Sequence, residues 1–85
     1  MDYDYGFRID IGGSVGSGHF YRCYAIAEKL IENKLKIIFL VNNKNEIKLH
    51  LKNKKISFHV IKNEKEFKEI SKSIKKIIID LPFKN

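Results

Sequence analysis

Ile37-Ile38-Phe39-Leu40-Val41 is an apolar run with no polar residue to face water. A strand with one wetted face alternates, so five apolar residues in a row fit a strand covered on both sides, as in a parallel sheet. Such a strand needs helices above and below it, and the rest of the chain supplies patterns for them. Phe7, Ile9 and Ile11 alternate with Arg8 and Asp10 until a glycine cluster stops them, which predicts a first strand over residues 6 to 11. From Phe20 the apolar positions 20, 23, 24, 27, 30 and 31 have the spacing of one helix face, predicting a helix over 18 to 32 with Asn33 as its end signal.

Residues 43 to 53 carry Ile47, Leu49 and Leu51 among polar neighbours and predict a short helix. Ile56 to Ile61 alternates as a third strand. Asn63 can cap a third helix, with Glu64 and Glu66 in its first turn, Phe67, Ile70 and Ile74 facing inward, and Lys75 and Lys76 at its end. Ile77-Ile78-Ile79 then reads as a fourth strand, closed by Asp80 and Pro82. Strand and helix alternate throughout, so the expected fold class is α/β, a parallel sheet with right-handed crossovers and helices on both faces. That arrangement is half of a doubly wound fold. In such sheets ligands sit beyond the carboxyl ends of the strands, where Gly12 to His19 and Asp80 would lie.

At 85 residues the chain makes one domain. It stops a few residues after the fourth strand, where another helix would normally cover the sheet, and the expectation is a truncated part of a longer protein. The net charge of +7 does not make a nucleic-acid binder. Of the 17 basic residues 15 are Lys, whereas base and phosphate readers favour the bidentate guanidinium of Arg. Residues 1 to 35 carry a net charge of −1 and residues 36 to 85 carry +8, so the glycine cluster lies in the neutral part. Scattered lysines without interleaved aromatics read as a solvated face. No apolar run approaches the roughly 20 residues that span a bilayer. The acidic amino terminus does not read as a secretory signal, so the expected location is the cytoplasm. The single cysteine, Cys23, can form neither an internal bridge nor a multi-cysteine metal site.

The chemistry is concentrated in Asp10-Ile11-Gly12-Gly13-Ser14-Val15-Gly16-Ser17-Gly18-His19-Phe20-Tyr21-Arg22. A dinucleotide fingerprint starting at Gly16 would need its last glycine at Tyr21. A nucleoside-triphosphate loop finds its glycines at Gly13 and Gly18, but His19 and Phe20 stand where Lys and Ser or Thr are required. What remains is Gly16-x-Gly18-His19-x-x-Arg22 between a strand and a helix. That puts His19 in the first turn, where backbone amides attract anions and the dipole disfavours an imidazolium. A neutral imidazole there can act as a general base. Arg22, three residues on, could steady a phosphate or a carboxylate such as Asp10. The alternative is that the glycines only shape a tight turn and His19 caps locally. Arg8 and Asp10 share a strand face and could form an ion pair. His50 and His59 read as surface or sheet-face residues, with no metal partner at useful spacing.

At these residues the chain resembles the nucleotide-sugar hydrolases of pseudaminic acid biosynthesis and their relatives in spore-coat polysaccharide biosynthesis. The resemblance is carried by Phe7-Arg8-x-Asp10, Gly16-x-Gly18-His19-x-x-Arg22-Cys23 and Ala25-x-Ala27-x-x-Leu30, and more loosely by Ile37 to Val41 and Ile77-Ile78-Ile79-Asp80. It implies a Rossmann-like domain, the N-terminal half of a glycosyltransferase-B architecture, with the uridine nucleotide held mainly by a second domain absent from these 85 residues. It further implies that His19 directs water onto the anomeric carbon of a UDP-linked diacetamido-trideoxyhexose, releasing UDP with inversion and without a required metal or cofactor. Asp10, Gly16, Ser17, Gly18 and Arg22 would then line the substrate side. The family tends to place a small or polar residue and Tyr after the fourth-strand aspartate, where this chain has Leu81-Pro82-Phe83. The same architecture also serves glycosyltransferases, and a non-catalytic binding module is the reading from another class. The 85 residues alone are expected to be inactive.

Overall fold

The computed structural model describes residues 2–11, 18–51 and 56–80. Four strands and three helices alternate: β1 (Tyr3–Ile9), α1 (Gly18–Glu32), β2 (Ile37–Val41), α2 (Lys44–His50), β3 (Ser57–Val60), α3 (Glu64–Ser71) and β4 (Ile74–Asp80). The strands form one sheet in the order β3-β2-β1-β4, with every neighbouring pair parallel. The α/β class read from the sequence is therefore present.

β2 lies inside the sheet with all five residues buried, as its uninterrupted apolar run requires. Its alternate residues serve two cores. Ile37, Phe39 and Val41 join Phe7 and Ile9 of β1 against Phe20, Cys23 and Ala27 of α1 and Ile47 of α2. On the opposite face Ile38 and Leu40 meet Ile74, with Phe67 and Ile70 of α3 packed alongside. Helices thus cover both faces, α1 and α2 on one and α3 on the other. The rings of Phe7 and Phe20 each lie 5.5 Å from that of Phe39, at tilts that aromatic pairs favour.

α1 occupies the span its periodicity predicts, although Ile31 is 40% exposed and stands outside the core stripe. The helix closes at Lys34, whose φ of 63° is left-handed. Leu35 N donates to Leu30 O at 3.1 Å and Lys34 N to Ile31 O at 2.9 Å, the paired bonds of a Schellman cap. Leu30 and Leu35 both pack on the core, as the hydrophobic contact of that motif requires. Asn63 caps α3 as its side chain predicts, accepting from Glu66 N at 2.8 Å.

Several boundaries differ from expectation, most of all the end of α3 and the two ends of β1, which stops at Ile9 rather than Ile11. α3 ends at Ser71, and Ile74, Lys75 and Lys76 belong to β4 rather than to the helix. Positions 67, 70 and 74 suit a helix face, but pairing of residues 74–80 along β1 recruits them into the sheet. Gly6 makes this possible: a Cβ there would lie 2.9 Å from Ile74 Cδ1 and 3.2 Å from its Cγ2, so the absent side chain is the space that Ile74 fills. β1 also starts earlier than predicted, at Tyr3. Tyr3 N donates to Ser73 O at 2.7 Å, and Asp4 N to Lys36 O at 2.8 Å, tying the new amino end to both neighbouring strands. The predicted glycine loop at 12–17 and the residues Leu81, Pro82 and Phe83 lie outside the described residues.

Candidate functional site at the carboxyl end of the sheet

The chain winds outward from β1 through β2 to β3, then returns to lay β4 on the other side of β1. The direction of winding therefore reverses between β1 and β4, and the carboxyl ends of these two strands flank the place where such sheets hold ligands. In register, Ile9 of β1 stands opposite Asp80 of β4, which brings Asp10 and Asp80 to the same end of the sheet. α1 begins at Gly18 and His19, after the chain has left β1 at that end. Its first turn contains no acidic residue, so the amino-end dipole is not offset from within the helix.

Asp10 is partly buried and shares a crevice of about 40 Å³ with Arg8, Leu40, Asn42 and Ile61. The crevice is held open by the chain's own polar contacts. Asn42 Oδ1 accepts from Ile11 N at 2.8 Å, and Val41 O accepts from Ile61 N at 2.8 Å, so the ends of β1, β2 and β3 are fastened together. Arg22 is exposed on α1, one turn beyond His19. Asp10 thus follows β1 directly, and Gly18, His19 and Arg22 lie in the opening turns of α1, the helix that packs on the face of β1 and β2. Gly16 and Ser17 lie outside the described residues.

Arg8 takes a different partner from the expected one. Its Nη2 lies 2.5 Å from Glu64 Oε1 and its Nη1 3.3 Å from Glu64 Oε2, a two-pronged pair. The guanidinium carbon also sits 4.2 Å from the centre of the Phe67 ring. The hydrogen bond to Glu64 raises the pKa of Arg8, opposed by partial desolvation, and the charge of Asp10 adds only a lesser attraction. The hydrogen bond from Arg8 holds the Glu64 carboxyl below its ordinary range. Arg8 is accordingly a strap between the central strand and α3, not the ion-pair partner of Asp10.

His59 has a partner that sequence reasoning missed: its Nε2 is 2.8 Å from Glu66 Oε1. A strand residue and a helix residue seven positions apart meet only once β3 and α3 are folded side by side, and no local spacing signals it. Among the described residues no group of three or more His, Cys, Asp or Glu side chains could hold a metal ion. Among the same residues no helix is long and apolar enough to cross a membrane.

A roomier cleft, about 280 Å³, opens at the opposite end of the sheet, between Ile31, Leu35, Ile37 and Ile56 with Asp2 and Lys36 at its rim. Its walls are mostly aliphatic and it lies at the amino ends of β1 and β2, far from the start of α1. Size alone would favour it, but Asp10 and the start of α1 lie at the carboxyl end. Comparison with known protein families, curated proteins and solved structures finds no match for this chain.

Proposed function

We propose that this chain is the base-bearing N-terminal part of a nucleotide-sugar hydrolase that releases UDP from a UDP-linked diacetamido-trideoxyhexose, in nonulosonate or surface-polysaccharide biosynthesis. The observation that carries this reading is the opening of α1 at Gly18-His19, at the end of the sheet where the winding reverses and where Asp10 follows β1. The sheet order β3-β2-β1-β4, with helices on both faces, supports a Rossmann-like domain and, more finely, the first half of a glycosyltransferase-B architecture.

In the proposed reaction His19 takes a proton from a water molecule as that water bonds to the anomeric carbon. The bond from this carbon to the β-phosphate oxygen breaks, and UDP leaves with the electron pair. The water enters on the face opposite the departing UDP, which inverts the anomeric centre. The amides of the first turn of α1 and the guanidinium of Arg22 suit the growing negative charge on the diphosphate. A second domain supplies the uridine site in this reading.

The test is UDP release from the UDP-trideoxyhexose by the protein that carries these residues, run in isotopically heavy water. Label in the sugar and none in UDP is expected. UDP release that depends on an added glycosyl acceptor assigns the protein to the transferases instead, and neither binding nor turnover removes both readings.

A further inference from the structure

We propose that Asn42 is a positioning residue for the candidate base: its side chain fastens the point where the chain leaves β1, and so fixes where His19 stands at the mouth of α1. This inference rests on the role proposed for His19. Ile11 lies two residues beyond the end of β1 and is 1% exposed, so its amide needs an acceptor inside the protein. Continuing the register of Ile9 with Val41 would set Ile11 beside Asn43, but β2 has already ended at Val41 and the next helix starts at Lys44. The acceptor is a side chain instead, Asn42 Oδ1 at 2.8 Å.

Asn42 is itself set by the ends of two strands, since the preceding carbonyl, Val41 O, accepts from Ile61 N at 2.8 Å beyond β3. On the other side of the contact, Ile11 belongs to the same buried cluster as Phe20, the residue next to His19. The ends of β2 and β3 are therefore linked through Asn42 to Ile11, which shares one buried cluster with the first turn of α1. General-base catalysis is sensitive to such placement, because a displacement of about 1 Å can lower turnover roughly a hundredfold.

The experiment compares Asn42→Ala and Asn42→Asp with the parent in the complete protein that carries these residues, reading amide hydrogen exchange and UDP release. In Asn42→Ala the Ile11 amide should exchange at least tenfold faster while Phe39 and Leu40 keep their protection. The value of kcat should fall roughly ten- to a hundredfold with KM within about twofold. Asn42→Asp, which retains an acceptor oxygen, should restore both. Undisturbed Ile11 exchange in the alanine variant, failure of aspartate to rescue, or unchanged kcat despite lost protection each overturns the proposal. If Asn42→Ala unfolds, shown by lost protection at Phe39 and Leu40, Asn42→Gln displaces the oxygen by one methylene and carries the same expectations. If the parent releases no UDP, the hydrolase reading fails by itself. The positioning role is then decided by the His19 amide signal, which must move in Asn42→Ala and return in Asn42→Asp.

Discussion

Arg8 on the central strand grips Glu64 in the first turn of α3, Nη2 to Oε1 at 2.5 Å, while its guanidinium covers the ring of Phe67 one turn further along the same helix. One side chain therefore holds α3 to the sheet by charge and by stacking at once. Removing the carboxylate with Glu64→Gln should lower the thermal midpoint less than Arg8→Ala, which loses both contacts. Phe67→Leu, which keeps apolar area but removes the ring, should cost about 0.5 to 1 kcal/mol through the lost stacking. Equal midpoints for Glu64→Gln and Arg8→Ala would show that the stacking contributes nothing.

The same carboxylate makes stability depend on acid. Glu64 is held below its ordinary range by the hydrogen bond from Arg8. Asp4 is held below its own chiefly by the hydrogen bond from the Lys36 amide, opposed by desolvation, with Lys75 at 3.5 Å adding a charge. A carboxyl whose folded pKa is depressed stabilises the native state above its unfolded value, about 4, and that contribution is lost as pH falls through the folded value. Denaturant midpoints should therefore drop on acidification below about pH 4. The double variant Asp4→Asn/Glu64→Gln should flatten the drop. Glu64 is exposed and Asp4 half-buried, so added salt should shrink the charge-pair part of the effect, more at Glu64 than at Asp4.

Gly6 and Ile74 form a size-matched pair. Gly6→Ala places a Cβ 2.9 Å from Ile74 Cδ1, a flexible side-chain end that can rotate away only by giving up packing. A loss of about 1 to 3 kcal/mol is expected from overpacking. Ile74→Val removes Cδ1, and the double variant Gly6→Ala/Ile74→Val should be less destabilised than the sum of the two single changes. Strict additivity in denaturant titrations would mean that the two positions do not share this space.

Lys34 sits in left-handed backbone geometry at φ 63°, which disfavours a residue bearing a Cβ by about 1 kcal/mol. Lys34→Gly should raise stability by about 0.5 to 1 kcal/mol, the remainder being offset by the greater freedom of glycine in the unfolded chain. A fall in the unfolding midpoint would mean that the lysine side chain contributes more than its backbone strain costs.

His19→Asn should separate chemistry from folding. The substitution removes a proton acceptor yet keeps a residue that can hydrogen-bond near a helix start. On the proposed function, kcat of the complete protein should fall by roughly 10² to 10⁴ while the melting temperature stays within about a degree or two. Retention of turnover within about threefold of the parent would return His19 to the role of a turn residue.

Much of the fold was legible because the interior strand and α1 each carry a single dominant period. Ile37 to Val41 admits no wetted face, and Phe20, Cys23 and Ala27 mark one stripe. The fourth strand lies where Ile77 to Asp80 predict it, but its start at Ile74 is hidden because Phe67, Ile70 and Ile74 satisfy a helical period, while the reason Ile74 goes elsewhere is a missing side chain at Gly6, 68 positions earlier. The start of β1 was hidden because Tyr3 and Tyr5 alternate with Asp2 and Asp4, residues weighed for their charge rather than their spacing. At the candidate site, the glycine cluster and His19 were visible as a motif. The partners of Arg8 and His59 and the acceptor for Ile11 were not, because each is set by how separate elements pack, 56 and 31 positions apart for Arg8 and Ile11 and on adjoining elements for His59.

β1 leaves the ribosome before β2 and β4, yet it pairs on one side with β2 and on the other with β4, whose Asp80 stands opposite Ile9. The β1-α1-β2 unit can close on itself early, through contacts of modest sequence separation. The remaining edge of β1 has to wait for about seventy more residues to be made, with the loop-closure cost that this separation brings. During that interval the nascent chain presents an unpaired strand edge that a chaperone, or another nascent copy, could occupy first. Placing β1 inside the sheet thus makes β4, synthesised later, the guardian of its open edge.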